Sequence, residues 1–181
     1  MPKTVTNFKL LCNNSAIGNE GSSPFGYRGS EIFRIISKFS VQGGNIGSDA
    51  AASPSSKGRF GRAAIPFDEN NPQTRADGFP LENFRILHSY REAGVVSMMK
   101  ELRSVDVQKA DGLVSTEKQI LQDSRFFVTL SPYASWADGK YVAFGRVSKG
   151  LDVLRDLQSL DVQAPANYPL TAVRIVDSGC Y

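Results

Sequence analysis

Residues 33–45 read FRIISKFSVQGGN, and two of them carry hydrogen-bonding groups that so apolar a run does not need for packing: Arg34 and Gln42. An arginine brings five N–H donors on a permanent charge, and a glutamine amide brings donors and an acceptor together. Taken alone, Arg34 reads as the solvent-facing residue of a half-buried strand, where alternate side chains point away from the core. Other chemistries are poorly supplied. His88, in FRILHSY, is the single histidine, with no second histidine to share a metal and no nucleophile close in sequence. It reads as a packed or surface residue. Cys12 and Cys180 stand near opposite ends and form no CxxC pair, which indicates neither a zinc site nor a disulfide framework. No metal or cofactor is expected.

The elements that must position Arg34 and Gln42 are short. Pro2 suits a first helical turn, and Val5, Phe8 and Leu11 recur at helical spacing, so a helix is predicted there, ended by Asn13, Asn14 and Gly18. The turn-rich run to Gly29 reads as a loop. EIFRII and FSVQ, separated by Ser37 and Lys38, predict two strands with a tight connection. Residues 45–82 are rich in Ala, Ser, Gly and Pro, too long for an ordinary connection, and predict a functional loop, an insertion or a flap. AGVVSMM and RFFVTL predict further strands, and YVAFGRV follows WADGK, whose Asp138 and Gly139 are a hairpin signal. Between them, Thr116 and Gln119 have capping-box spacing and predict a short extra helix. Leu151, Leu154, Leu157 and Leu160 mark a second main helix, and TAVRIVDSG predicts a closing strand. Many short strands with two main helices predict a mainly β barrel or sandwich with capping helices.

At 181 residues and 41% hydrophobic content, the chain is expected to form a single domain over 1–181. Lys and Arg number 21 against 18 Asp and Glu, and apart from pairings such as Arg59 with Arg62 the basic residues are scattered. Nucleic-acid binders concentrate charge on one face, so no nucleic-acid partner is expected. No stretch approaches the roughly 20 apolar residues of a membrane span, and MPKTVTNFKLL lacks the apolar core of a signal peptide. The expectation is a soluble, intracellular protein, placed in the cytoplasm.

The segments PKTVTNF, FGYRGSEIFRIISKFSVQGGN, FPLENF, GVVSMM, SRFFVTL, WADGKYVAFGRVSKGLDVL and VRIVDSGC occur in this order. Together they resemble the cyclophilin family of peptidyl-prolyl cis-trans isomerases. FxRIIxxFxxQGG and WxDGKxVxFGxV are long signatures, and the likeness covers most of the chain, with poorly matching inserts at about 46–78 and 101–123. The resemblance implies a closed eight-stranded antiparallel barrel with a helix over each open end. It also implies two strands ahead of the helix that begins PKT, strands that this chain does not carry in its 181 residues. A fragment or a misassigned start of a longer product is the favoured explanation.

The family's chemistry accounts for the two polar residues. Rotation about an X-Pro bond must overcome amide resonance, a barrier of about 18 to 20 kcal/mol, and no bond need break. A catalyst needs an apolar pocket for the proline ring, a donor near the proline nitrogen and polar groups that fix the carbonyl. By resemblance, Arg34 is the donor, and Gln42 positions it and the substrate backbone. Phe39 and Phe127 match the residues that line the proline pocket, and Trp136 matches the rim tryptophan associated with cyclosporin binding. Without the resemblance these three read as core packing and a packed surface tryptophan.

Several positions depart from the family. Ser40 stands for a usual methionine, Ala137 for a leucine, Tyr141 for a histidine, Arg125 for a glutamine, and Met99 and Lys100 for an alanine-asparagine pair. Ser40, Met99, Lys100, Ala137 and Tyr141 are expected to line the substrate groove with Phe39, Phe127 and Trp136. Met99 is expected to refill volume lost at Ser40. The function implied is isomerisation of X-Pro bonds in peptides and proteins, in support of folding, by a monomer that binds proline-containing chains and cyclosporin. The altered groove keeps open a second reading, a catalytically weak or inactive scaffold module that binds proline peptides.

Overall fold

The computed structural model describes residues 2–16, 25–46, 64, 78–82, 90–108 and 112–181. Helix α1 spans Pro2–Cys12, with proline in its first turn as expected. Its buried residues are Thr4, Asn7 and Leu11, where apolar spacing had pointed to Val5, Phe8 and Leu11. Two polar residues take core positions because their hydrogen bonds are made there. The Thr4 hydroxyl donates to Glu82 Oε2 at 2.6 Å, and the Asn7 amide donates to the Asp123 carbonyl at 3.2 Å while accepting from the Ala64 N–H at 2.6 Å. Glu82 also accepts the backbone N–H groups of Lys3 and Thr4, so a carboxylate distant in sequence satisfies the positive end of α1. Burial would raise its pKa, but the bonds from Thr4 and Lys3 outweigh that and hold it below the usual carboxylate value. Phe8 lies at the margin, packed on Tyr27, Phe126 and Phe144 with ring centroids 4.8 to 5.8 Å apart.

The strands are β1 (Glu31–Ile36), β2 (Ser40–Gly43), β3 (Phe79–Pro80), β4 (Val95–Gln108), β5 (Val114–Thr129) and β6 (Val142–Arg146). After helix α2 (Leu151–Asp156) come β7 (Val162–Gln163), β8 (Tyr168–Pro169) and β9 (Val173–Arg174). Antiparallel pairing gives the order β6-β4-β5-β2-β1-β9, with β3 also on β5, while β7 and β8 form a separate ribbon. The mainly β fold with two helices is present. The closed eight-stranded barrel is not found among the described pairings: closure needs a neighbour on both sides of every strand, and β6 pairs only with β4 and β9 only with β1.

Four local expectations are corrected. The extra helix at Thr116 to Gln119 is strand: 101–123 forms a long hairpin in which β4 and β5 pair from Val96 opposite Val128 out to Gln108 opposite Val114. Ladder pairing along both strands outcompetes an isolated capping pattern. Asp138 and Gly139 lie in a turn, yet no hairpin results, because β6 leaves that turn to pair with β4 rather than β5. The second helix ends at Asp156 and tightens into a 3₁₀ turn, Leu157–Ser159, while Leu154, Leu157 and Leu160 still pack against one core cluster. The closing strand is reduced to Val173–Arg174, held opposite Ile32 and Glu31. The insert expected at 46–78 lies outside the described residues apart from Ile46, Ala64 and Gly78, and His88 lies outside them as well.

Three apolar clusters hold the sheet. Leu11, Tyr27 and Phe126 pack with Phe8 beneath α1. Ile32, Ile35, Val41 and Leu130 pack against the leucines of α2 and its 3₁₀ turn. Tyr90, Val95, Phe127, Ala134, Ala137 and Ala143 form the third, with Met99, Trp136 and Tyr141 packed on it. Full burial of each large side chain contributes roughly 1.5 to 3 kcal/mol.

The two cysteines, distant in sequence, meet in space. The Ser178 hydroxyl donates to the Cys12 carbonyl at 2.8 Å, the Cys180 N–H donates to Asn13 Oδ1 at 2.8 Å, and the Cys180 thiol reaches the Lys9 carbonyl at 3.7 Å. Both thiols are free, and Cys180 is exposed. Burial, then the neighbouring Cys180 thiol, pushes Cys12 up to about 11. A thiol raised from 9.0 by that much holds far less thiolate at pH 8, only partly offset by its greater intrinsic nucleophilicity. Cys180 should therefore be alkylated by iodoacetamide at least about tenfold faster than Cys12 in the native protein, read by peptide mass spectrometry. Equal rates would contradict this.

Candidate active site

Cross-strand register places the expected polar pair. The connection at Ser37 to Phe39 sets Arg34 opposite Gln42 on β1 and β2. Gln42 stands opposite Phe127 on β5, Phe127 opposite Ser97 on β4, and Ser97 opposite Ala143 on β6. Directly opposed residues share a face, so Arg34, Gln42, Phe127, Ser97 and Ala143 form one row across five strands. The glycines after Gln42 make this row possible. Gly44 has φ +83° and lies against the Ser124 carbonyl and the Tyr27 ring, leaving no space for a Cβ, and its own carbonyl accepts the Ser124 hydroxyl at 2.6 Å.

Phe127 is the floor of an aromatic group on this face. Phe39 stacks on Trp136 with centroids 4.2 Å apart and planes at 16°, and Trp136 lies 5.5 Å from Phe127. Tyr141 meets Phe127 edge-on at 5.0 Å and Trp136 at 5.9 Å. Lys100 sets its ammonium 5.4 Å from the Tyr141 ring centroid. Ala137 is fully buried beneath the tryptophan turn, where a small side chain lets the segment 134–141 close onto Phe127. Met99 packs on the same cluster from β4. Ser40, also fully buried, accepts the Gln42 amide at 3.4 Å, so the hydroxyl that replaces apolar wall orients the glutamine.

The polar atoms of the row are left with unused capacity. Arg34 Nε and Gln42 Oε1 are buried and have no hydrogen-bond partner. A buried polar group left unpaired costs about 1 to 3 kcal/mol, so the pair leaves one donor and one acceptor unsatisfied beside the aromatic group.

Sequence reasoning missed two features here. Tyr90, buried under the aromatic group, bonds its hydroxyl to Ser97 at 2.6 Å, and burial, partly offset by that bond, raises it to about 12. Nothing in FRILHSY singles it out. The second is an ion cluster at a bulge: between the pairs Met98 with Phe126 and Lys100 with Gln122, residues 123–125 of β5 stand opposite Met99 alone. Asp123 there accepts the Arg125 backbone N–H at 2.8 Å and its guanidinium at 2.7 and 3.1 Å, and Glu101 accepts it at 2.6 Å. Burial would lower the Arg125 pKa, but the bonds and charge of Asp123, then those of Glu101, raise it. The replacement of the family's glutamine by Arg125 was visible in the sequence. Its pairing with Asp123, two residues away, was not read there.

A family model described as cyclophilin type peptidyl-prolyl cis-trans isomerase/CLD matches residues 1–180. The chain is 31% identical over 180 residues to peptidyl-prolyl cis-trans isomerase CYP21-1 of Arabidopsis thaliana, covering 99% of this chain and 63% of that protein. It is 30% identical over 178 residues to peptidyl-prolyl cis-trans isomerase B of Saccharomyces cerevisiae, covering 98% and 66%. It is 31% identical over 184 residues to peptidyl-prolyl cis-trans isomerase 9 of Caenorhabditis briggsae, covering 98% and 45%. The chain thus spans less than two thirds of the length of these relatives. With its matched signatures, and with Arg34, Gln42 and Phe127 in one row, the chain belongs to the cyclophilin-type peptidyl-prolyl cis-trans isomerase family.

Proposed function

We propose that this chain catalyses cis-trans isomerisation of X-Pro bonds in peptides and proteins, as an aid to folding. The observation that carries the reading is the pair of buried, unpartnered atoms, Arg34 Nε and Gln42 Oε1, in register with Phe127. A proline ring enters between Phe39, Phe127 and Trp136, and Gln42 receives the substrate backbone. Arg34 donates toward the proline nitrogen as the amide twists and its lone pair localises. Because that lone pair is delocalised in the planar amide, the donor interacts more strongly with the twisted form and lowers the barrier. Water-poor aromatic walls strengthen the interaction.

Cyclosporin is a ligand of the same face on this reading, with Trp136 at the rim, and the protein acts as a monomer. Binding and turnover are separable by mutation. Phe39 is half-buried and outside the strands, so its removal costs the pocket an aromatic wall without cutting the sheet. Phe39→Ala should raise KM for an Ala-Pro peptide by about tenfold, the equivalent of 1.4 kcal/mol, with kcat changed much less, in exchange NMR at several peptide concentrations. A loss confined to kcat would remove Phe39 from the pocket.

A further inference from the structure

The cations near the aromatic face differ in how they are neutralised. Arg125 is enclosed by Asp123 and Glu101, and Arg146 pairs with Glu92 at 2.7 Å. Among the described residues neither Arg34 nor Lys100 has a carboxylate partner. Lys100 is held instead by the face of Tyr141, whose ring is itself a wall of the pocket against Phe127 and Trp136. The turn that carries Trp136 also carries one exposed residue of each sign, Asp138 and Lys140. Among the described residues, a peptide in the groove therefore meets two positive charges with no carboxylate partner, and one of them, on a flexible stem, is already restricted by a ring contact and loses less freedom on pairing.

We propose that the site selects proline bonds flanked by an acidic residue, and that Lys100 is the specificity-determining cation. This rests on the isomerase reading of the same site. The attraction acts between a partly exposed ammonium and a solvated carboxylate, so its expected size is that of an exposed ion pair, about two- to fivefold in kcat/KM, and it weakens with salt.

The test uses peptides identical except for Glu, Ala or Lys on one side of the proline and then on the other. Exchange NMR gives kcat/KM, and chemical-shift titration gives affinity, each at low salt and at about 0.5 M salt, for the wild type, Lys100→Gln and Lys100→Glu. The expected result is a Glu over Ala over Lys ranking at one flanking position. It should contract at high salt, flatten in Lys100→Gln and invert in Lys100→Glu. Exchange of the Ala peptide with no ranking by charge, or a ranking that survives Lys100→Gln, would overturn the proposal while leaving the isomerase reading standing. Charge-ranked binding without exchange of any peptide would support the role of Lys100 and defeat catalysis. Neither binding nor exchange would defeat both.

Discussion

Replacing Arg34 with alanine is expected to lower kcat/KM for an Ala-Pro peptide by a hundredfold or more, about 2.7 kcal/mol of transition-state stabilisation. Peptide affinity should change by much less. The asymmetry follows from where the donor acts. On the proposed reading, Phe39, Phe127 and Trp136 would hold the proline ring in either isomer and in the twisted form, whereas an N–H aimed at the proline nitrogen gains strength only once amide resonance is lost. The magnitude matches the removal of one fixed donor from other sites that stabilise a developing lone pair or charge. Arg34→Lys should recover only part of the activity, since an ammonium keeps the charge but not the planar fork. Equal losses in affinity and in turnover would mean that Arg34 only binds.

The second large effect concerns stability. Asp123 is 2% exposed and accepts three hydrogen bonds from the Arg125 guanidinium and one from its backbone N–H. Asp123→Ala removes the main countercharge of a buried cation and releases the bulge that the carboxylate ties. Breaking one side of a buried pair costs about 3 to 5 kcal/mol, which for a chain of this size lowers Tm by roughly 10 °C. The double variant Asp123→Leu with Arg125→Met should recover most of that loss, because replacing a whole buried pair by apolar groups leaves no unpaired charge, and Glu101, with its side chain 42% exposed, can turn to water. Circular dichroism melts of the two variants decide it. A double variant less stable than Asp123→Ala would show that the ion pair itself, rather than its compensation, holds the bulge.

The register of the row that joins Arg34 and Gln42 was legible because it depends on short-range facts. Ser37 and Lys38 interrupt two apolar runs by a tight connection, and that connection alone sets Arg34 opposite Gln42. Phe39, Phe127, Trp136, Tyr141, Met99 and Ala137 meet in one cluster or in direct ring contact, as the family signatures imply. What was not legible depends on partners far away in the chain. Glu82 caps α1 across 78 residues, and no local pattern predicts a capping carboxylate from elsewhere. The stretch 101–123 was misread because Thr116 and Gln119 mimic a helix start, while the competing signal, a matching strand on the other side of the turn, lies in a different segment. Asp138 and Gly139 turn the chain as their type requires, but a turn does not choose which strand the next segment joins. Thr4 and Asn7 were passed over for the core because burial of a polar side chain follows its hydrogen bonds, which the periodicity of apolar residues does not record.

Arg34 and Gln42, in register with the aromatic pocket, are expected to lower the barrier to rotation of an X-Pro bond. Two-dimensional exchange NMR on an Ala-Pro peptide with a small fraction of protein tests it most directly. Uncatalysed exchange takes tens of seconds or more, so without protein the cis and trans resonances give no cross-peaks within a sub-second mixing time. Wild-type protein should produce those cross-peaks and broaden both resonances, and Arg34→Ala, still binding the peptide, should not. Wild-type protein that shifts the peptide resonances on binding, yet gives no cross-peaks and behaves as Arg34→Ala does, would contradict the claim and leave a proline-binding module in its place.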